Sequence, residues 1–251
     1  MKFREILFFI AKSLTISSEK KNRHDVERTL KTKDIDWEAV VKVSTSQYVL
    51  PAIYCNFKRA NFLKYLPTDL VGYMKYITKL NRERNIKIIE QAKELNHTLL
   101  SNKVRPIFLK GTGNLLAGIY EDIGERMVGD IDFIFSKEDY PKAISILKEF
   151  GYSDAKKRKY YRPAERHYRK LKKKGNIAAI EIHSRFINEK KYDYEFNYNF
   201  VVKDILFIKG AAVLSFANKL NLSIIDYQIN DNGFYYKRIA LRNAYDVFIL
   251  S

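Results

Sequence analysis

Two aspartates, Asp130 and Asp132, stand one residue apart in an otherwise apolar run, residues 130–135. Side chains alternate across a β-strand, so the strand that this run predicts has both carboxylates on one face, with Ile131 and Phe133 on the other. Two carboxylates side by side repel each other, and a divalent cation between them relieves the repulsion. The run therefore indicates a strand with an oxygen-rich site suited to Mg²⁺ or Mn²⁺.

Several short elements are predicted in the segment before this strand. Residues 106–109 predict a short buried strand, and the glycine-rich residues 111–113 predict a tight turn. Apolar spacing over residues 114–120 predicts a helix. A loop over residues 121–129 then leads to the aspartates. The order strand, turn, helix, loop and strand predicts the core around which the chain is organised.

A turn of glycine and a small hydroxyl residue that enters a helix, followed by Asp-x-Asp on the next strand, resembles the signature of the DNA polymerase β-like nucleotidyltransferase superfamily. The fuller pattern Leu109-Lys110-Gly111, Arg126 and Gly129-Asp130-Ile131-Asp132 is similar to a branch of bacterial proteins known only as nucleotidyltransferase family proteins. The resemblance spans residues 104–186. It departs at Thr112, where the superfamily usually has Ser or Gly, but threonine keeps the hydroxyl.

A further strand is predicted over residues 177–186, with Glu181 and His183 on one face and isoleucines on the other. It resembles the element that carries the third carboxylate of the superfamily. A charged side chain in an apolar strand needs a partner, so we expect Glu181 to complete the metal site with the two aspartates. The alternative is a glutamate exposed on an edge strand. For His183 we expect a role in orienting Glu181, ahead of a role in binding substrate or phosphate.

The resemblance implies transfer of a nucleoside monophosphate from a nucleoside triphosphate, ATP by default, to a hydroxyl-bearing acceptor. Two metal ions held by the three carboxylates would activate the acceptor hydroxyl and hold the triphosphate. The nucleotide-binding residues that it implies are Lys110, Gly111, Thr112 and Arg126. Relatives modify RNA ends, small molecules or proteins, and some are toxins of toxin–antitoxin pairs. The alternative from another class is a catalytically inactive module that binds nucleic acid or protein.

The formal net charge of +17 predicts attraction to polyanions: nucleotides, RNA or another anionic acceptor, or an acidic protein partner. The alternative is a lysine-rich surface without a ligand, because lysine is dispersed over much of the chain. The most basic segment, residues 156–174, interleaves Lys and Arg with Tyr and His, which suits single-stranded nucleic acid. Within it, Lys172, Lys173 and Lys174 are candidate polyanion-binding residues. The same hairpin could instead hold triphosphate or be a solvated surface.

These patterns predict an α+β fold, in which a small mixed β-sheet forms a nucleotidyltransferase core flanked by N-terminal and C-terminal helices. The predicted domains are an N-terminal helical region over residues 1–102, the core over residues 103–200 and a C-terminal helical region over residues 201–251. In the core, residues 165–171 and 177–186 predict a hairpin. In the last region, residues 211–221 and 235–250 predict helices.

Cysteine content and hydropathy indicate the cellular compartment of the protein. The sequence of 251 residues has one cysteine, Cys55, which excludes a disulfide framework and favours a reducing compartment. The apolar residues 3–10 are too few and too interrupted by charge for a membrane span. We therefore expect a cytoplasmic protein with no membrane partner.

Overall fold

The computed structural model describes residues 2–32, 34–155 and 166–251. By packing, the chain divides into two compact units. Unit 1 comprises Met1–Asn85, Tyr120–Met127 and Ile239–Ile249, and unit 2 comprises Ile86–Ile119, Val128–Arg238 and Leu250–Ser251. The predicted domain boundaries, after residues 102 and 200, stay a proposal beside this division by packing.

Five helices occupy most of the chain before the sheet. They are α1 Phe3–Ser13, α2 Lys20–Thr32, α3 Trp37–Ser46, α4 Leu50–Arg59 and α5 Thr68–Ser101. The rings of Phe9 and Phe57 pack edge to face in unit 1, with centroids 6.4 Å apart. Pro51 lies in the first turn of α4, where its missing N–H removes no helical hydrogen bond. The helical character predicted for this region is present.

Helix α5, with 34 residues, continues from unit 1 into unit 2. Its length exceeds what a bilayer requires, but lysine, arginine and glutamate recur along it. Among the residues described, no helix is both long and apolar enough to cross a membrane.

The single cysteine is buried in unit 1. Cys55 lies in α4 and is 4% exposed. Burial raises the pKa of its thiol to about 12, with a further contribution from the charge of Glu125. At pH 8 the nucleophilic thiolate is therefore almost absent. We expect iodoacetamide to alkylate Cys55 only after denaturation, as measured by the mass of the intact protein. Rapid labelling of the native protein at pH 8 would contradict this burial.

Unit 2 is built on a mixed β-sheet. Its strands are β1 Ile107–Phe108, β2 Asp130–Ile134, β3 Ser153–Asp154, β4 Leu171–Lys172, β5 Ala179–His183, β6 Leu206–Ile208 and β7 Ala211–Val213. Across the described residues the order in the sheet is β3-β4-β5-β2-β1-β7-β6. The pairs β2–β5 and β1–β7 are parallel, and the other neighbours are antiparallel. The remaining helices are α6 Lys110–Ala117, α7 Asp139–Glu149, α8 Tyr198–Val201, α9 Phe216–Ile225 and α10 Leu241–Leu250. The fold is α+β, as predicted.

The central strands are buried on both faces. On one face Phe133 packs edge to face against Phe108 and Phe135, with centroids 5.8 and 5.4 Å apart. On the other face Ile107 and Ile134 belong to a buried cluster that α8 and α9 cover. Asp132 shares the face of Ile134, because it lies two residues before it on the same strand. The Asp132 carboxylate thus lies on the same sheet face as part of the apolar core.

The prediction of a helix over residues 211–221 is wrong for its first residues. Ala211–Val213 form strand β7, which pairs with both β1 and β6. The following helix α9 begins later, where the Ser215 hydroxyl oxygen accepts a hydrogen bond from the backbone N–H of Asn218. The short apolar run Ala-Ala-Val is compatible with a helix or a strand. Here it forms a strand because it pairs with two neighbouring strands.

The last predicted helix also starts later than expected. Helix α10 begins at Leu241 rather than at residue 235. In unit 1 the side-chain oxygen of Gln47 accepts a hydrogen bond from the backbone N–H of Leu241, at the start of the helix. Residues 234–238 are therefore outside the helix, and their side chains are exposed.

The hairpin is shorter in the structure than the sequence pattern predicts. The described strands are limited to Leu171–Lys172 and Ala179–His183, with an isolated bridge between His167 and His183. Residue 165, where the first predicted strand begins, lies outside the described residues. The hairpin pairing itself is present as the antiparallel pair β4–β5.

Candidate active site

Three potential metal ligands meet where strands β2 and β5 lie side by side. The strands are parallel, Asp132 lies opposite Glu181, and His183 shares the face of Glu181. Nε2 of His183 is 2.9 Å from Oδ1 of Asp132 and 3.8 Å from Oε2 of Glu181. One ligand atom from each of the three side chains lies within 4.8 Å of the other two. The parallel register thus forms a compact group of buried oxygen and nitrogen donors.

Burial and neighbouring charges set the protonation of this group. Burial raises the pKa of Glu181, and the negative charge of Asp132 raises it further. Burial opposes ionisation of Asp132 as well, but the charge of Lys110 and the hydrogen bond with His183 outweigh it and hold the pKa of Asp132 below its usual range. Burial lowers the pKa of His183 to about 4. The imidazole is therefore neutral at pH 7, and Nε2 either donates its proton to Asp132 or, in the other tautomer, offers a lone pair to a metal.

The ammonium group of Lys110 forms an ion pair with the carboxylate of Asp132. Its Nζ is 3.0 Å from Oδ1 of Asp132 and 3.6 Å from Oδ2 of Asp226. Burial acts to lower the pKa of Lys110, but the two carboxylates outweigh it and raise that pKa above its usual value. The backbone of Lys110 has φ of 48°, in the left-handed region that favours glycine, and strain of this kind clusters at functional sites. Lys110 is thus a charged group held directly at the cluster of candidate metal ligands.

Asp226 also forms an ion pair with Arg166. The guanidinium of Arg166 donates to Oδ1 of Asp226 over 2.6 Å. Asp226 is the first residue of a π-helical turn, Asp226–Asn230, that follows α9. Turns of this type occur frequently at functional sites. Asp226 is therefore a second carboxylate that lies close to the Lys110 ammonium.

A second lysine bridges the other two carboxylates. Nζ of Lys170 is 2.5 Å from Oδ2 of Asp130 and 3.1 Å from Oε1 of Glu181. Burial acts to lower the pKa of Lys170, but the hydrogen bond with Asp130 and the charge of Glu181 raise it overall. Asp130 is only partly buried and faces this lysine. Its metal-binding role stays a prediction.

The start of helix α6 lies next to the carboxylates. The backbone N–H of Leu109 donates to the carbonyl of Asp132 over 2.9 Å. The predicted tight turn at residues 111–113 is wrong, because these residues form the first turn of α6. A Cβ on Gly113 would lie 2.6 Å from the carbonyl oxygen of Phe108, so glycine is needed for this close packing.

The predicted nucleotide contacts of this turn remain open. Gly111 and Thr112 are buried. The Thr112 hydroxyl donates to the carbonyl of Asp130 over 3.1 Å and so joins the helix to strand β2. Nucleotide binding by Lys110, Gly111 and Thr112 stays a prediction.

Arg126 belongs to unit 1, in a buried polar network. Its guanidinium nitrogen Nε donates to both carboxylate oxygens of Asp246, each over 2.9 Å, and Nη2 lies 2.8 Å from Oδ2. The Tyr120 hydroxyl donates to Oδ1 of the same aspartate over 2.6 Å. Burial acts to lower the pKa of Arg126, and the Asp246 charge more than offsets it. The Arg126 guanidinium is thus paired with a carboxylate of unit 1. Nucleotide binding by Arg126 stays a prediction.

The three candidate polyanion-binding lysines lie at the β4–β5 hairpin. Lys172 and Lys174 are exposed, whereas Lys173 is partly buried. Nζ of Lys173 lies 3.6 Å from the centroid of the Phe150 ring and 3.9 Å from Oε1 of Glu94. The preceding part of the basic segment, residues 156–165, lies outside the described residues. Polyanion binding by these lysines stays a prediction.

Sequence reasoning missed two members of this cluster, Lys170 and Asp226, and the role expected for His183 stays a prediction. Lys170 was noted only as part of a basic segment, and Asp226 was not singled out, since no spacing relates it to the other acids. His183 was expected to orient Glu181, yet its shorter contact is with Asp132. A signal was present for His183, since residues two apart on a strand share a face.

Comparisons with known proteins give two matches. A family model described as "Uncharacterised nucleotidyltransferase" matches residues 33–251. A candidate nucleotidyltransferase from Thermotoga maritima, known from its crystal structure, is similar over 60% of this chain and 91% of its own, with 18% sequence identity and a TM-score of 0.44. No curated protein matches the sequence. The match to the family model extends over most of the chain.

Proposed function

The chain belongs to the family of uncharacterised nucleotidyltransferases, and from this premise we propose that it is a metal-dependent enzyme. It moves a nucleoside monophosphate from a nucleoside triphosphate to a hydroxyl-bearing acceptor. The observation that carries this proposal is the parallel register of β2 and β5, which sets Asp132 opposite Glu181 beside a charged lysine. ATP is the default donor, and RNA or another anionic molecule is the acceptor that the basic composition favours.

The donor group fits a divalent metal. Asp132, Glu181 and His183 offer two carboxylates and one neutral imidazole within 4.8 Å. Carboxylates suit Mg²⁺ and Mn²⁺, and an imidazole ligand is better accepted by Mn²⁺ than by Mg²⁺. Asp130 would join the group once Lys170 releases it. Asp132, Glu181 and His183 would hold the metal, which would supply Lewis-acid chemistry for the acceptor hydroxyl and the pyrophosphate leaving group.

The protein's own cations would act on the triphosphate. Lys110 is charged and lies at the start of α6, whose first N–H groups attract anions. A triphosphate at this end of the helix would draw the ammonium of Lys110 from Asp132 and leave that carboxylate free for a metal. Asp226 would keep Lys110 within reach, because its carboxylate pairs with the same ammonium. Catalysis then rests on positioning and on charge rather than on a covalent intermediate.

A catalytically inactive module that binds nucleic acid or an acidic protein is the alternative. Burial of two carboxylates within 4.8 Å of each other costs free energy, since each disfavours the charge of the other. A pure binding module has no use for such an arrangement inside its sheet. The buried pair of Asp132 and Glu181 therefore favours the enzyme.

The test is transfer of a labelled nucleotide. The protein is incubated with each of the four α-³²P nucleoside triphosphates, with total RNA or total protein, and with Mg²⁺, Mn²⁺ or a chelator. We expect acid-insoluble label from at least one triphosphate, present with metal and lost with chelator. Absence of transfer under every combination, together with no Mn²⁺ binding by calorimetry, would favour the inactive module.

A further inference from the structure

Three consecutive aromatic side chains of unit 2 are exposed to solvent. Phe234, Tyr235 and Tyr236 are 82%, 77% and 60% exposed. The rings of Tyr235 and Tyr236 are nearly perpendicular, with centroids 4.9 Å apart. Large apolar rings that stay uncovered in a row mark interaction sites on protein surfaces. We call residues 234–238 the aromatic tip.

The backbone of the aromatic tip is folded back on the π-helical turn. The N–H of Gly233 donates to the carbonyl of Tyr227 over 2.9 Å, and the N–H of Phe234 donates to that of Gln228 over 3.2 Å. The N–H of Arg238 closes the loop on the carbonyl of Gly233 over 3.0 Å. A Cβ on Gly233 would lie 2.7 Å from the Tyr227 ring, so only glycine permits this packing. The rings are therefore presented by an ordered loop.

Positive charge accompanies the rings. Lys237 and Arg238 are exposed, and the Arg238 guanidinium lies 4.9 Å from the centroid of the Tyr236 ring. The chain as a whole carries a formal charge of +17. Proteins that bind single-stranded nucleic acid combine stacking aromatic rings with cations that contact the phosphates. A neutral or basic protein partner would not use these cations.

The aromatic tip is linked to the candidate active site through the π-helical turn. Asp226, which binds Lys110 and Arg166, is followed directly by Tyr227 and Gln228, the two residues on which the tip folds. Two residues along a helix rise by about 3 Å, so the tip backbone is anchored one helical turn or less from the site. The loop that presents the rings is thus anchored on residues contiguous with Asp226.

We infer that the aromatic tip binds the bases of a single-stranded nucleic acid whose terminal hydroxyl is the acceptor of the transferred nucleotide. This inference rests on the proposed function and names the class of its acceptor. Phe234, Tyr235 and Tyr236 stack on the bases, and Lys237 and Arg238 contact the phosphates. Stacking on a π-face tolerates any base, so the tip selects single strands rather than a sequence.

The test is the affinity for fluorescein-labelled oligouridylate and oligodeoxythymidylate, measured by anisotropy over a salt series. It uses the Asp132→Asn protein with chelator, so that binding is read without catalysis. We expect the triple variant Phe234→Ala/Tyr235→Ala/Tyr236→Ala to bind at least one oligonucleotide about tenfold more weakly or worse, because the rings that stack on the bases are removed. Tyr235→Phe/Tyr236→Phe keeps the rings and should bind like the parent. Preference for uridylate over thymidylate, or the reverse, identifies the source of the strand.

The matched control is Phe207→Ala, which removes a ring that is 59% exposed on β6 of the same unit and should leave the affinity unchanged. Unchanged affinity of the triple variant, or an equal loss in the control, would overturn the inference. Loss of self-association in the triple variant with unchanged oligonucleotide binding would instead assign the tip to a second copy of the chain. Failure of the proposed function is a separate outcome, because it appears as absent transfer with oligonucleotide binding intact.

Discussion

Replacement of Asp132 by asparagine is expected to lower nucleotidyl transfer by at least about a thousandfold, or about 4 kcal/mol in activation free energy. Asp132 is the carboxylate that contacts Lys110 and His183 together, so its loss removes a charged ligand from the centre of the donor group. Initial rates of label transfer at saturating Mg²⁺ measure the effect. Calorimetric titration with Mn²⁺ should show weakened binding in parallel, which links the loss of activity to the metal.

The matched control is Asp69→Asn, which makes the same change at an exposed position in the first turn of α5. Its transfer rate and its affinity for Mn²⁺ should equal those of the parent protein. The fold of Asp132→Asn should persist, because Asp226 still balances the charge of Lys110 and the neutral amide no longer repels Glu181. Transfer by Asp132→Asn at the parental rate would remove these strands from the active site.

Replacement of Asp246 by asparagine is expected to cost unit 1 about 3–5 kcal/mol of unfolding free energy, because the buried Arg126 guanidinium would lose its counter-charge. For a protein of this size the melting temperature should fall by about 10 °C. Thermal unfolding followed by circular dichroism measures the shift. The exposed Asp69→Asn variant serves again as the reference and should melt like the parent.

A double-mutant cycle identifies the partner. Arg126→Met alone should also be strongly destabilising, since it leaves Asp246 without its counter-charge, and the double variant should lose much less than the sum of the two single losses. Additive losses would mean that the two side chains do not stabilise each other. A nucleotide contact of Arg126 would appear differently, as a raised KM for the triphosphate in a variant whose stability is unchanged.

The elements that sequence reasoning predicted best are those with long or strict periodicity. Helix α5, with 34 residues, lies within the N-terminal region that was predicted to be helical. Strands β2 and β5 alternate acidic with apolar residues, which also places Asp132 and Glu181 on defined faces. Their pairing is not a local property, and it was expected only through the resemblance to a superfamily.

The elements that were missed depend on distant partners. Ala211–Val213 are a strand because β1 and β6 flank them, and alanine by itself favours a helix. Lys170 and Asp226 join the carboxylates from segments whose local patterns carry no trace of the contact. Charge pairs between segments far apart in sequence follow from the fold and cannot be read from spacing.

The two lysines that lie on the carboxylates bear on when the protein can fold. Strands β2 and β5 bring like charges together, and without compensation their pairing would have to wait for an ion. Lys110 and Lys170 supply that compensation from within the chain, so a newly made protein reaches its native sheet in a medium poor in divalent ions. The same ammonium groups then compete with any free ion for the carboxylates. Under the proposed function, a metal would have to displace these ammonium groups, and the phosphates of an incoming triphosphate would offer the lysines another partner.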